Sequence, residues 1–273
     1  MAAVHQRVLR IGEGDASAWA TDELSPEEPL EIRLGDQPLS VTMRTPGDDF
    51  DLAAGFLITE GVIRAASEIA SMRMCPQSGA ASGPLNVVEV RLSEPAARPA
   101  ETRAFYMTSS CGICGKASID SVRTQSRYPV DRDPLRVATS LLASLPGKLG
   151  QAQTRFAHTG GLHAAALFDA TGTLVCARED VGRHNAFDKV IGWAATAGRL
   201  PLTSHIILAS GRASFELTQK ALMAGIPMLA AVSAPSNLAV ALARDAGMTL
   251  VGFLRGDRMN VYAGQQRIER PAS

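Results

Sequence analysis

The chain is expected to be an α/β protein: a mostly parallel or mixed sheet covered by helices, with a smaller β-rich N-terminal part. Three observations predict it. From residue 162 onward, short apolar runs alternate with helical patterns, which is how βαβ crossovers read in sequence. Before residue 93, segments of alternating apolar and polar residues come in pairs, which is hairpin character. The chain has 273 residues, 46% of them apolar, enough to bury a sizeable core in one large domain or two.

Residues 1–25 read as a mobile or edge-strand tail. Segments 29–34 and 39–43 alternate on either side of Gly35-Asp36-Gln37 and form a hairpin. Asp48 and Asp49 are placed to cap a helix with Leu52, Ala53, Phe56 and Leu57 on one face, stopped near Gly61. Strands are expected at 69–74, 85–92 and 103–108, separated by loops rich in Gly, Ser, Ala and Pro. A helix follows at 117–123. Pro134 sits at the first position of another, with Leu135, Ala138, Leu141, Leu142 and Leu145 at helical spacing.

The later half is more regular. Strands at 162–168 and 174–177 flank a turn at Asp169–Gly172, and a helix spans about 184–197. Strand 205–209, helix 213–224, strand 227–232, helix 237–246 and strand 249–254 complete the pattern. A boundary near 126–134 divides the chain into a β-rich part, 1–130, and an α/β part, 131–273.

Charge excludes some functions. Lys and Arg together number 27, as do Asp and Glu, so there is no general attraction toward nucleic acid or an anionic membrane. No apolar run is long enough to span a bilayer, and Met1 to Thr21 lacks the apolar block of a secretory signal. A cytoplasmic location is expected. Four cysteines in a chain this long are thiols, ligands or catalysts there rather than a disulfide scaffold.

Two of those cysteines stand together in Ser109-Ser110-Cys111-Gly112-Ile113-Cys114-Gly115-Lys116. Structural zinc needs four ligands, usually with a second close pair, and Cys75 and Cys176 are isolated. A thioredoxin-like dithiol normally follows the first strand of a compact fold, whereas this pair lies far into the chain. Relay of a sulfane sulfur as a persulfide needs an accessible thiolate of lowered pKa, and Lys116 with a following helix N-terminus would supply the positive potential. On these residues alone, redox chemistry and sulfur relay rank equally.

Several turns in the later half are polar at strand ends, where open α/β sheets bind ligands. Arg178 to His184 places five titratable side chains in seven residues, more than a helix cap requires. Asp180 or Asn185 would serve as that cap. Ser210-Gly211-Arg212 follows the next strand and suits a phosphate. Ser233-Ala234-Pro235-Ser236-Asn237 is a third such turn, with Ser236 a ready cap. Phe253-Leu254-Arg255-Gly256-Asp257-Arg258 is a fourth: Arg forks onto phosphate, and Asp accepts from a guanine-type N–H edge. Thr159-Gly160-Gly161-Leu162-His163 reads as a glycine turn at a strand start, with His163 a core histidine.

These motifs, with Gly55-Phe56-Leu57-Ile58-Thr59-Glu60-Gly61 and Glu179 to Ala186, give the chain a resemblance to the formate dehydrogenase accessory sulfurtransferase family (FdhD) along nearly its whole length. The resemblance implies a cytidine-deaminase-like core and a homodimer. It implies a carrier that moves sulfur from a cysteine desulfurase to the molybdenum cofactor of formate dehydrogenase, a bis(molybdopterin guanine dinucleotide). It implies that Cys111 carries the persulfide with Cys114 beside it, and that Phe253, Leu254, Arg255, Gly256, Asp257 and Arg258 bind the cofactor. Gly182, Arg183, His184, Gly211 and Arg212 are expected to join them, with helix N-termini at Gly182 and Gly211 neutralising phosphates. The H-x-E and P-C-x-x-C pattern of zinc deaminases is missing, and Ala164 and Ala165 follow His163, so no zinc is expected. The alternative is a non-catalytic, cofactor-binding chaperone for formate dehydrogenase.

Overall fold

A computed structural model describes residues 4–12, 17–76, 85–93, 105–106 and 126–269. Cys111, Cys114 and the helix expected at 117–123 lie outside the described residues.

The alternating pattern of the early half makes a five-stranded sheet. The expected hairpin is β3 (Glu28–Leu34) and β4 (Gln37–Arg44), antiparallel, with Gly35 at φ +55° in its turn. Strands β5 (Ile69–Cys75), β6 (Val87–Leu92) and β7 (Phe105–Tyr106) complete the order β5-β6-β3-β4-β7. In the segment read as a mobile or edge-strand tail, β1 (Val4–Ile11) and β2 (Ser17–Leu24) pair with each other as a separate antiparallel ribbon.

The later half makes a six-stranded mixed sheet. Its strands are β9 (His163–Phe168), β10 (Leu174–Asp180), β11 (Ile206–Ala209), β12 (Met228–Ala231), β13 (Thr249–Arg255) and β14 (Arg258–Ala263). The order is β10-β9-β11-β12-β13-β14, with β11, β12 and β13 parallel and the other pairings antiparallel. Side chains alternate across it, as the two-residue period of a strand requires. Ala164, Ala166 and Phe168 of β9 pack toward α2 (Thr139–Ala152). Ala165 and Leu167 join the larger core, with α4 (Arg183–Thr196), α5 (Phe215–Met223) and α6 (Asn237–Asp245).

That larger core does not stop at residue 130. It includes Leu30, Ile32, Val88 and Val90 of the five-stranded sheet and Leu52, Phe56 and Leu57 of α1 (Asp49–Thr59). Helix α1 packs against both α4 and β6. It therefore buries Leu52 to Thr59 on every side rather than along one face.

Local expectations fail where a distant contact intervenes. The helix anticipated from Pro134 starts only at Thr139. The Leu135 N–H is held by Asp133 Oδ1 at 2.9 Å, and β8 (Val137–Ala138) pairs in parallel with β15 (Ile268–Glu269). Asp48 makes no side-chain cap to α1; its own backbone is left-handed, φ 55°. The short helix α3 (Thr154–Thr159) and strand β14 were not anticipated.

Candidate functional site

The strand directions of the larger sheet decide which turns meet. β11, β12 and β13 all end on one edge. β9 runs against β11, so it begins on that edge with His163. β10 runs against β9 and ends there, Asp180 opposite His163. β14 runs against β13 and starts there, Arg258 opposite Arg255. The turns at 180–184, 210–212, 232–236 and 255–258 thus gather along one margin, the position at which open α/β sheets take their ligands.

The first turn is held from below. Asp180 is fully buried and needs a full set of donors. It has four: Gly182 N–H at 2.8 Å, Asn185 Nδ2 at 3.0 Å, Thr45 N–H at 3.1 Å and Lys189 Nζ at 2.7 Å. Thr45 follows β4, and Asn185 Nδ2 also donates to the Met43 carbonyl at 2.8 Å. The five-stranded sheet therefore fixes the turn that carries Arg183 and His184. Gly182, not Asp180 or Asn185, is the cap residue of α4, and its side-chain-free position matters: a Cβ there would lie 2.9 Å from Asn185 Nδ2.

Behind this turn lies a second ionic group. Lys220 Nζ of α5 lies within 3.0 Å of both Asp188 oxygens and 2.9 Å from Thr59 Oγ1, with Glu60 Oε1 at 3.4 Å. Burial alone would push the lysine down, but Asp188, Glu60 and Glu216 outweigh it and raise its pKa. Burial pushes the Asp188 carboxyl up to about 6 against the pull of Lys220. His184 Nε2 lies 3.3 Å from Glu216 Oε2. Burial, aided by Lys220 and Arg183, still pushes His184 down to about 3, so the nearby carboxylate does not charge it.

The second turn continues the sheet instead of opening a helix. Ser210 exchanges two bonds with Ala164, N–H to carbonyl at 3.0 Å and Oγ from N–H at 2.9 Å. Ala213 then bridges Pro235, and α5 starts at Phe215 with Ser214 as its cap. Gly211 therefore lies three residues before the cap, not at a helix N-terminus. Arg212 is exposed beside it. Ser236 caps α6 as expected, accepting from the Ala239 N–H at 3.2 Å.

At the fourth turn Phe253 adopts φ 51°, a left-handed backbone that a bulky residue rarely takes. The conformation is secured by its N–H to the Ser233 carbonyl at 3.1 Å, and by Arg255 Nε to the Val232 carbonyl at 3.0 Å. Leu254 is fully buried below the turn, whereas Phe253, Arg255, Gly256, Asp257 and Arg258 are exposed.

Beside these turns opens a groove of about 550 Å³. One wall is Gly160, Gly161, His163, Ser210 and Gly211; the other comes from Pro146, Leu149, Gln153 and Phe156. His163 is half-buried there. Sequence reading took it for a core residue. Its signal was its place at a strand start, beside glycines.

Among the described residues no group of three or more His, Cys, Asp or Glu is placed to hold a metal. Cys75 and Cys176 are free thiols, and burial pushes Cys176 up to about 11. No described helix is long and apolar enough to cross a membrane.

A family model described as the FdhD/NarQ family matches residues 25–269. The chain belongs to the FdhD/NarQ family. Its relatives include proteins named sulfur carrier protein FdhD. The one from Streptomyces avermitilis is 58% identical over 269 residues, covering 96% of this chain and 94% of that one. The one from Mycobacterium tuberculosis is 53% identical over 274 residues, covering 98% and 99%. A crystal structure from Desulfotalea psychrophila, described as a formate dehydrogenase accessory protein, superposes with a TM-score of 0.77 at 25% identity, covering 98% of this chain and 99% of that one.

Proposed function

We propose that this FdhD/NarQ-family chain is a cytoplasmic sulfur carrier that serves formate dehydrogenase. Cys111 takes sulfur from the persulfide of a cysteine desulfurase and delivers it to the bis(molybdopterin guanine dinucleotide) molybdenum cofactor before the client enzyme receives it. The acceptor is the substrate, held along the sheet margin by Arg183, Arg212, Arg255 and Arg258, with Asp257 facing the guanine edge. The chain acts as a homodimer. Loading is persulfide exchange: the Cys111 thiolate bonds to the outer sulfur, the desulfurase thiolate leaves, and no net oxidation occurs.

The observation that carries the reading is the convergence of four polar strand-end turns on one margin. A ligand with several phosphates and a purine needs such spaced cationic forks. The direction of β7 adds support. It runs parallel to β4, Tyr106 beside Val41, toward the end of β4 that bonds Asp180. The five residue steps from Tyr106 to Cys111 span at most about 18 Å.

Calorimetric titration with guanosine diphosphate tests the acceptor half. The expected result is binding that weakens about tenfold or more in Arg212→Ala, Arg258→Ala. Binding of equal strength in wild type and variant would remove this margin as the acceptor site.

A further inference from the structure

The groove of about 550 Å³ beside the margin holds polar groups that the protein leaves unused. Gln153, between α2 and α3, is only 9% exposed, yet its side-chain amide makes no hydrogen bond to another described residue. It lines the groove. A buried amide in that state costs stability unless a partner from outside satisfies it. Ser210 Oγ accepts from the Ala164 N–H at 2.9 Å, which leaves its own hydroxyl proton to give. The His163 ring is likewise without a hydrogen bond to another described residue.

The remaining lining decides what fits. Among the described residues, no Lys, Arg, Asp or Glu lines the groove. Burial pushes His163 below the ordinary histidine value, with Arg183 and Arg212 pushing the same way and Asp180 opposing, so its ring is neutral near pH 7. Neither a phosphate nor a metal ion finds an opposite charge there. An acyl chain would fill the volume but strand the Gln153 amide. Gly160, Gly161 and Gly211 present backbone with no side chain, so a flat ring comes close to the wall. Phe156, 41% exposed, offers it an aromatic ring open to stacking. An amide that donates and accepts side by side matches the paired donor and acceptor of a lactam heterocycle.

The groove joins the cationic margin at two places. Ser210 and Gly211 lead into Arg212, and the carbonyl of Val232, another lining residue, accepts from Arg255 Nε at 3.0 Å. A heterocycle seated in the groove would therefore have a phosphate tether led onto these arginines.

We propose that the groove is the pterin pocket of the acceptor site, with Gln153 the residue that selects the ring by its lactam edge. The identity of the ring rests on the sulfur-carrier reading above, in which Asp257 takes the guanine; the fit of the groove to a flat, uncharged heterocycle does not. The two ring systems of the acceptor thus occupy separate places, with the arginines between them holding the phosphates.

The test uses the full chain and 6-hydroxymethylpterin, whose own fluorescence reports binding. Wild type is expected to bind it saturably at or below about 1 mM, the scale a ligand of this size reaches. Saturating guanosine diphosphate should not displace it. Gln153→Leu, similar in size but without the amide, should weaken pterin binding about tenfold or more and leave guanosine diphosphate binding unchanged by calorimetry. Phe156→Ala, at an exposed position where folding is not at risk, should weaken the pterin as well. No saturable binding by a wild-type chain that does bind guanosine diphosphate would overturn the pocket and spare the acceptor reading. So would equal pterin affinity in wild type and both variants. Displacement by guanosine diphosphate would assign the groove to guanine and overturn the proposal. A wild type that binds the pterin, loses it in Gln153→Leu, and takes up no guanosine diphosphate would uphold the pocket and remove the acceptor reading instead.

Discussion

Gly55 and Gly192 meet where α1 crosses α4, so closely that a Cβ on Gly192 would stand 2.7 Å from the Gly55 nitrogen and 1.8 Å from the Asp51 carbonyl oxygen. A Cβ on Gly55 would stand 1.9 Å from the Asp188 carbonyl oxygen. The two helices thus touch backbone to backbone. That contact brings Asp188 of one within 2.8 Å of Thr59 of the other.

Gly192→Ala is expected to destabilise the fold by about 3 kcal/mol, the upper end for overpacking, because backbone rather than a movable side chain blocks the methyl. Alanine's better helix propensity returns only about 1 kcal/mol. Denaturant unfolding measures the difference. A variant as stable as wild type would mean that the helices do not cross this closely.

The buried Lys220–Asp188 pair gives an asymmetric expectation. Removing one partner strands the other charge, so Lys220→Met should cost about 3–5 kcal/mol. Adding Asp188→Leu to Lys220→Met should recover a large part of that loss. Unfolding midpoints for the four members of this cycle decide. Strict additivity would contradict direct pairing.

His184 makes stability depend on pH in a known direction. Folded, its pKa is about 3; unfolded, it returns to about 6.5. Above pH 6.5 both states hold a neutral ring, and its contribution is fully present. As pH falls, the unfolded ring takes a proton that the folded one refuses, so stability is lost from 6.5 down toward 3. Between pH 7.5 and 5, wild type should lose about 2 kcal/mol more than His184→Gln. Equal losses would show that the buried ring does not titrate as described.

The regular core of the larger sheet was legible in sequence because its boundaries are local. Ser236 marks the start of α6 with its own hydroxyl, and Gly225 and Gly247 end the preceding helices in left-handed turns. The start of α2 was not legible, because the pairing of Val137 with Ile268 is set by a strand at the far end of the chain. The site divided in the same way. The turns that carry Gly182, Arg183, Arg212 and Arg258 are legible by their place after apolar runs, and the strand directions bring those turns to one margin. The supports beneath them are less legible: Asp180 reads only as a helix-cap candidate, and Asp188, Lys189 and Lys220 carry no local signal, until the fold buries each beside a partner. His163 was visible but ambiguous, since only the groove distinguishes an open imidazole from a packed one.

Cys176 should be chemically silent. With its pKa pushed up to about 11 by burial, only about one thiol in a thousand is ionised at pH 8. Iodoacetamide on the native chain should leave Cys176 unmodified after the Cys111 peptide is fully labelled. Labelling of Cys176 at the rate of a free thiol would contradict its burial.

The sulfur-carrier reading itself is tested most directly by intact mass spectrometry after incubation with a cysteine desulfurase and cysteine, followed by peptide mapping. The account predicts a gain of one sulfur atom, located on Cys111 and lost in Cys111→Ala. A chain that gains no sulfur, or gains it equally well in Cys111→Ala, would contradict it.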